Sequence, residues 1–434
     1  MMRDAFKNWA SIDLEKLCTR ITKGGTPTTY GYNFLKEGIN FIKVENIKNG
    51  AVDLKSITDF ISEEAHAYQK KSQLQSGDLL FSIAGTIGAT CIVKEEILPA
   101  NTNQALAIIQ GFHRTVSPNF LKLQLDSFIA RKVTSKARGG AMNNVSLGDL
   151  KKLEVLIPPL PEQRAIVAKI DKLFSDLDNG IANLKAAKVK LDIYRQAVLK
   201  KAFEGGFNGG SIDWEEKKLG DILKISSGNG LTKAGRDDNG EYSVYGGNGI
   251  TGRHSEYMFE KPQLIIGRVG VHCGNTHITK PQSWVTDNAF VVYFNENEIS
   301  TKCLYYLILS LRLNQYASST AQPVISGGKL YPVRFLFPPK KTQDSLIEAI
   351  ESRLSVCDKL AESIDQSLEK SEALRQSILK KAFAGQLLNE AELAACRREP
   401  DWEPAHKLLE RIKKNKSVGA KNATTGKSRK ANKP

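Results

Sequence analysis

One segment of this sequence occurs twice, and that repetition constrains the fold more than any other feature. Pro158 to Gly205 reads PPLPEQRAIVAKIDKLFSDLD…IYRQAVLKKAFEG, and Pro338 to Gly385 reads PPKKTQDSLIEAIESRLSVCD…ALRQSILKKAFAG. The copies align without a gap at a constant offset of 180 residues. Each opens on Pro-Pro, closes on Arg-Gln-(Ala/Ser)-(Val/Ile)-Leu-Lys-Lys-Ala-Phe-x-Gly, and follows a longer segment of mixed, strand-like character. A chain ordered as module, helix, module, helix is expected to carry a pseudo-twofold axis.

The repeated segments read as long helices. Pro161 falls in a first turn, where its missing N–H is tolerated, and Glu162 suits the positive end of the helix dipole. In the second copy Thr342 is the expected N-cap, with Asp344 two residues on. Apolar positions Ile166, Ile170, Leu173, Leu177, Ile181, Leu184, Leu191 and Val198 step by threes, fours and sevens. Leu346, Ile350, Leu354, Cys357, Ile364, Leu368 and Ile378 do much the same. So narrow a stripe is a coiled-coil seam rather than a broad core face. Gly205-Gly206 and Gly385 end the helices. About 43 residues at ~1.5 Å each make a rod of about 64 Å.

If a pseudo-twofold relates the halves, the first helix leads to module two and the second returns to module one. The expected fold is therefore α+β. Two similar globular domains of mixed strands and helices stand at opposite ends of a long antiparallel two-helix coiled coil. Residues from Gln386 onward are expected to help complete the first module.

The boundaries follow: 1–157 and 207–337 as globular domains, 158–206 and 338–389 as helices, 390–415 as a segment completing the first domain, and 416–434 as a tail. Within the first module, apolar runs FIKVENI, DLLFSIAG and ALAIIQ alternate with turn clusters, before the helical period of NFLKLQLDSFIARKVTSK. The second module repeats that order from KLGDILKISSGNG through YSVYGGNGITG, QLIIGRVG and SWVTDNAFVVYF to LYYLILSLRLNQYASS. Trp9 and Trp214 stand at equal distances before Leu14 and Leu219.

Composition bounds the function. A length of 434 residues suits two to three domains, and 41% hydrophobic with 25% charged residues is globular usage. No apolar run approaches the ~20 residues that span a bilayer, and the opening MMRDAFKNWA has no signal-peptide core. Cys18, Cys91, Cys273, Cys303, Cys357 and Cys396 form no C-x-x-C pair, as expected of a reducing cytoplasm. The net charge of +15 points to a polyanionic partner, yet Asp401–Pro434 carries ten Lys/Arg against three Asp/Glu. That leaves a mildly basic body and a tail, from Lys416, expected to be disordered.

The sequence carries no complete catalytic motif of the kinds such a chain could hold. Gly328-Lys329 is followed by Leu330, and Gly426-Lys427-Ser428 lacks the earlier glycine of a phosphate-binding loop. Neither Pro-Pro pair belongs to an N/D-P-P-Y/F amino-methyltransferase motif. Tyr245–Gly249 is no dinucleotide fingerprint, and His272, Cys273 and His277 match no structural zinc spacing, so no metal is expected.

The two Pro-Pro-headed helices with matching tails resemble those of the specificity subunits of Type I restriction–modification systems. The resemblance extends over nearly the whole chain, including Lys23-Gly24-Gly25-Thr26-Pro27 and Glu403–Lys416. Lys340–Asp344 departs from the Leu-Pro-Glu-Gln-Arg run of the first copy. The resemblance implies a non-catalytic subunit whose two target-recognition domains each read half of an interrupted double-stranded DNA site. It implies two adenine-methyltransferase subunits and ATP-dependent restriction subunits as partners. S-adenosylmethionine, Mg²⁺ and ATP would then belong to those partners, with no cofactor on this chain. The alternatives are a nuclease or methyltransferase acting alone, disfavoured by the missing motifs, and a coiled-coil scaffold, which leaves two large related modules unexplained.

Base and phosphate contacts need polar side chains on loops. In module one the candidates are Lys23, Gly25, Thr26, Thr28, Tyr30, Lys43, Asn46, Arg138, Asn143 and Asn144. In module two they are Asn229, Lys233, Arg236, Asn248, Arg253, His254 and Arg268. The competing reading makes these loops plain turns and the charges a solvated coat. Partner-binding or spacer candidates on the helices are Pro161, Gln163, Arg195, Gln196, Lys200, Gln343, Arg375, Gln376 and Lys380.

Overall fold

A computed structural model describes residues 9–136, 145–205, 207, 214–232, 235, 237, 239–318 and 322–412. Arg138, Asn143, Asn144, Lys233, Arg236 and the tail from 416 lie outside the described residues. The chain divides into two compact units, Met1–Ile181 with Glu369–Pro434, and Ala182–Leu368. Both boundaries fall inside the long helices.

Unit 1 runs β1 (Ala10–Asp13), β2 (Cys18–Lys23), β3 (Ile39–Ile42), β4 (Ile47–Lys48), β5 (Ala51–Val52) and β6 (Phe60–Ile61) to helix α1 (Glu63–Tyr68). It continues with β7 (Leu79–Ser82), β8 (Thr90–Ile92), β9 (Ala100–Thr102), β10 (Leu106–Phe112), α2 (Pro118–Lys136), α3 (Leu147–Lys151) and β11 (Glu154–Ile157), before α4 (Leu160–Phe203) begins. The main sheet has the order β2-β10-β7-β8, a smaller one β6-β3-β9, and β1 pairs with β11. Central strands are apolar on both faces because both are covered. Leu79, Phe81, Ala107 and Ile109 face the core shared with the helices, while Leu80, Leu106 and Ile108 face the core formed with Ile42 and Ala100 of the small sheet.

Unit 2 repeats this plan. It comprises β12 (Glu215–Lys218), α5 (Leu219–Ile222), β13 (Leu223–Ser227), β14 (Tyr242–Gly246), β15 (Gly249–His254), β16 (Leu264–Gly267), β17 (Thr276–Ile278) and β18 (Ser283–Val285). Then come β19 (Ala289–Phe294), α6 (Thr301–Ser310), α7 (Gly327–Leu330), β20 (Arg334–Phe337) and the start of α8 (Lys340–Ala382), which α9 (Glu390–Arg397) of unit 1 follows. The main sheet is β13-β19-β16-β17, the smaller β15-β14-β18, and β12 pairs with β20. Each unit also has one parallel pairing in its small sheet, β3 with β9 and β14 with β18. Leu264, Ile266, Phe290 and Val292 face the helices, and Ile265, Val285, Ala289 and Val291 line the second core.

In both units a ribbon strand hands directly to a long helix through Pro-Pro, since proline cannot continue the ladder but suits a helix start. The 43-residue α8 begins at Lys340, so Thr342 lies inside the first turn and is not the expected N-cap. Its hydroxyl donates instead to the Pro339 carbonyl at 2.8 Å.

Within unit 1 the opening of α4 (Ile166, Ile170) packs with the end of α8 (Ile378, Leu379, Ala382, Phe383). Within unit 2 the end of α4 (Leu199, Ala202, Phe203) packs with the opening of α8 (Leu346, Ile347, Ile350). The helices therefore run antiparallel in each unit. Within unit 2, Lys188–Asp365 and Arg195–Asp358, both at 2.6 Å, share one register, because the two residue numbers add to the same total; within unit 1 Arg375 pairs with Asp178. Every stripe position named from the sequence is buried or half-buried. Each fully buried Ile, Leu or Phe contributes ~1.5–3 kcal/mol, so the helix ends are the anchored parts. Among the described residues no helix is long and apolar enough to cross a membrane.

Candidate nucleic-acid interface

The same backbone device builds a loop in both units. After β2, Gly24 lies so close to the turn following β9 that a Cβ would sit 2.0 Å from the Thr102 carbonyl oxygen. After β13, Gly228 meets the turn following β18, where a Cβ would sit 2.4 Å from the carbonyl oxygens of Val285 and Thr286. The next residue then donates its amide to that turn, Gly25 to Thr102 at 3.1 Å and Asn229 to Val285 at 2.9 Å. Only glycine permits this approach.

In unit 1 the loop places Lys23, Thr28 and Tyr30 at the surface. Thr26 donates its hydroxyl to Gln104 Oε1, and Gly25 faces the Tyr30 ring and the Gln69 amide. Tyr30 and Tyr32 both pack on Tyr68, with ring centroids 5.7 and 5.6 Å apart, leaving Tyr30 50% and Tyr68 62% exposed. Lys43 and Asn46 are engaged otherwise. Lys43 pairs with Asp59 at 2.7 Å and lies over the Phe34 ring. Asn46 is buried, accepts from the Lys43 amide at 2.7 Å and donates to the Ser56 carbonyl at 2.6 Å, so it braces a turn and is corrected from a DNA candidate to a structural residue.

In unit 2 the structure gathers Asn229, Asn248, His254 and Arg268 around the 284–289 turn. Trp284 donates its indole N–H to the Asn229 carbonyl at 3.0 Å and meets the His254 ring edge-on at 5.2 Å. The Arg268 amide donates to Asn288 at 2.9 Å, while its guanidinium reaches Ser227 Oγ at 3.2 Å and lies over Phe290. Asn248, at the tip between β14 and β15, accepts from Asn275 Nδ2 at 3.1 Å. Arg253, exposed on β15, donates to the Gly240 and Glu241 carbonyls at 2.6 and 2.9 Å.

Electrostatics separate the reactive-looking side chains from plausible chemistry. Burial holds His277 below the usual imidazole range, helped by neighbouring His272, so it presents a neutral ring at physiological pH. Burial pushes the Cys91 and Cys303 thiols up to about 12, which leaves them protonated. Cys273 is buried, its thiol set on the Arg268 carbonyl at 3.2 Å.

The helix candidates separate into two groups. Gln163 donates to the carbonyls of Pro158 and Thr115 at 2.8 and 3.1 Å and accepts from the Ser117 amide at 2.8 Å. Gln343 donates to Pro338 and Glu298 at 3.2 and 2.8 Å and accepts from the Ser300 amide at 3.0 Å. Both are fully buried clamps between a long helix and the module preceding it, and with buried Pro161 they are corrected from partner contacts to internal ones. Arg195 and Arg375 are the cross-helix ion pairs, and Gln196 is half-buried beside the seam. Lys200, Gln376 and Lys380 are exposed.

Sequence reasoning weighed His277 only as a zinc ligand and did not single out Trp284, Asn275, Gln69, Tyr68 or the turns after β9 and β18. A usable signal was the polar cluster that directly precedes each central strand, Asn101–Gln104 and Thr286–Asn288.

A family model for the Type I restriction modification DNA specificity domain matches residues 7–186 and, again, 211–370. The StySPI specificity subunit of Salmonella potsdam is 24% identical over 481 residues, spanning 97% of this chain and 98% of that relative. The EcoKI specificity subunit of Escherichia coli K12 is 25% identical over 487 residues, with the same coverage. A solved chain from work on complex assembly and conformational transition of the type I R-M system has a TM-score of 0.69 at 19% identity, covering 88% of this chain and 99% of that one. The HsdS subunit from Thermoanaerobacter tengcongensis gives 0.54 at 19% identity, covering 88% and 98%. With two matched domains on two units of one plan, the chain belongs to the Type I restriction–modification DNA specificity family, as a specificity subunit carrying two recognition domains.

Proposed function

We propose that this chain supplies sequence recognition to a Type I restriction–modification enzyme and performs no catalysis itself. Each recognition domain reads one half of an interrupted double-stranded DNA site, and the paired helices set the gap between the halves. Two adenine-methyltransferase subunits dock on the helices and restriction subunits join them, in a prokaryotic cytoplasm. S-adenosylmethionine, Mg²⁺ and ATP are bound by those partners.

The observation that carries this reading is the duplicated frame, in which two specificity domains are clamped to their helices by equivalent glutamines, Gln163 and Gln343. Partner docking is supported by apolar side chains that the helices of unit 2 leave exposed: Val189, Ile193 and Tyr194 on α4, Val356 and Leu360 on α8. The register of the ion pairs sets Ile193 and Leu360 at one level along the paired helices. Exposed apolar side chains on long helices suit a further amphipathic helix.

The test is selection of duplexes from random DNA by the purified full chain. A motif in two blocks with a constant gap is expected, with binding that weakens steeply as salt rises. An uninterrupted motif, or none, overturns the reading. Methyl transfer or cleavage by this chain alone, given S-adenosylmethionine and Mg²⁺, would overturn the non-catalytic assignment.

A further inference from the structure

We infer that the Asn248–Asn275 amide pair is the element with which unit 2 reads one base, and that this base is an adenine. The inference rests on the DNA-reading function proposed above and assigns it to particular atoms.

The tip between β14 and β15 is built to hold one side chain still. Gly246 and Gly249 are buried on either side of it, and Gly249 takes a φ of +89°, open to glycine at little cost. A Cβ on Gly267 would lie 2.4 Å from the Gly247 carbonyl oxygen, and one on Gly247 would lie 3.1 Å from that of Asn288. The tip is thus wedged between two turns with no room to shift. Asn248 alone projects from it into solvent.

Asn275, just before β17, is also exposed and donates its Nδ2 to Asn248 Oδ1 at 3.1 Å. That bond uses one donor and one acceptor. Asn248 keeps its amide N–H donors and Asn275 its carbonyl oxygen, beside the second N–H and lone pair left at the shared bond, so the pair can present a donor beside an acceptor. Reversing both amides exchanges the two roles and presents the same couple. On the major-groove edge, adenine offers an acceptor at N7 and a donor at N6. Guanine offers two acceptors, cytosine a donor, and thymine an acceptor with a methyl group. Adenine is the base whose two major-groove groups match a donor beside an acceptor.

The surroundings point the same way. Among the described residues, seven carry a buried side-chain N or O without a hydrogen-bond partner, and three of these, Arg268, His277 and Thr286, lie on or beside the segments packed against this tip. The His277 ring lies 3.5 Å from the Cβ position of Gly249, and Thr286 Oγ1 3.6 Å from that of Gly246. An unmet buried polar atom is destabilising, so their grouping beside one tip marks an edge shaped for a polar ligand rather than for stability.

Duplex selection with full-length wild type, Asn275→Ala and Asn248→Asp tests this. The wild type should enrich an adenine at one position of one half-site. Asn275→Ala should reduce discrimination there by about tenfold to a hundredfold, the range for losing one well-formed amide–base pair. Asn248→Asp replaces the donor with an acceptor and should move the preference at that position toward cytosine. The other half-site, read by unit 1, should be unchanged in both variants, which also reports that they are folded. A wild-type bipartite motif left intact by both substitutions would sink the assignment, as would a uniform loss of affinity with the motif unaltered. If the wild type selects no bipartite motif at all, the DNA-reading function fails and this inference falls with it.

Discussion

Arg164 grips Asp401 with both guanidinium nitrogens, at 2.7 and 2.9 Å, and this contact explains why the two repeats differ at their openings. Residues 386–412 fold back over the start of α4, where Lys169 also binds Glu392 at 2.6 and 2.8 Å and Trp402 donates to Glu162 at 3.5 Å. Under that cover Pro161 and Glu162 are buried. The start of α8 shows Lys341 exposed and Thr342 half-exposed, and Asp344 stands where Arg164 would be. Leu-Pro-Glu-Gln-Arg is the sequence of a covered helix start, and Lys-Lys-Thr-Gln-Asp that of a wetter one. Glutamine, the clamp, is common to both.

Glu162 should make the stability of unit 1 fall with rising pH. Burial raises its carboxyl above the usual range, although the indoles of Trp402 and Trp9 donate to it. The folded state therefore holds the proton more tightly than the unfolded chain. This contribution is fully present below the ordinary carboxyl pKa of about 4.3 and is lost as pH rises through the higher folded value. Glu162→Gln keeps an acceptor for both indoles and removes the charge. Melting temperatures of the two proteins should coincide in acid, with the variant melting higher near neutrality. A variant that melts lower at neutral pH would mean the charge is satisfied after all.

The glutamine clamps should be equal in worth. Gln163→Leu and Gln343→Leu each strand a buried amide N–H on Ser117 or Ser300 along with two carbonyls, at a cost of about 2–4 kcal/mol. Hydrogen exchange of the full chain should show unit 1 opening in the first variant and unit 2 in the second. Equal loosening of both units in either variant would contradict separate clamps.

Gly24→Ala and Gly228→Ala should each damage one half-site. The added methyl meets backbone oxygen rather than a flexible side chain, so the loop must move. A loss of about tenfold or more in discrimination at one half-site is expected, since a misplaced loop forfeits at least one base contact of about 1–3 kcal/mol. Unaltered selection by both variants would show that the glycine loops do not position the readers.

Ile193→Glu should impair assembly without impairing the fold. Ile193 is 64% exposed, so the substitution costs the isolated chain within about 0.5 kcal/mol. Titration against the modification subunit, followed by light scattering, should show at least tenfold weaker association, as expected for a charge placed in an apolar contact. Unchanged association would move the docking surface elsewhere.

Much of the scaffold could be read from residue order. The apolar stripes from Ile166 to Val198 and from Leu346 to Ile378 occupy the buried and half-buried positions expected of them. The antiparallel sense, argued from duplication, is what the Arg195–Asp358 and Arg375–Asp178 pairs display. Asn46 and Gln163 went the other way. Each looked available, and each is consumed by backbone groups, Asn46 at Ser56 and Gln163 at Thr115 and Ser117.

Helix periodicity, Pro-Pro starts and glycine stops are local properties, set by neighbours three or four positions away, so the amino-acid order alone determined where the helices run. The same holds for the doubling of the plan, which is written as literal repetition. Which polar side chains remain free for a ligand was decided only by tertiary structure. A hydrogen bond such as Asn275 to Asn248 joins groups 27 positions apart, and no local pattern records whether a side chain's capacity is spent inside the fold or left facing out.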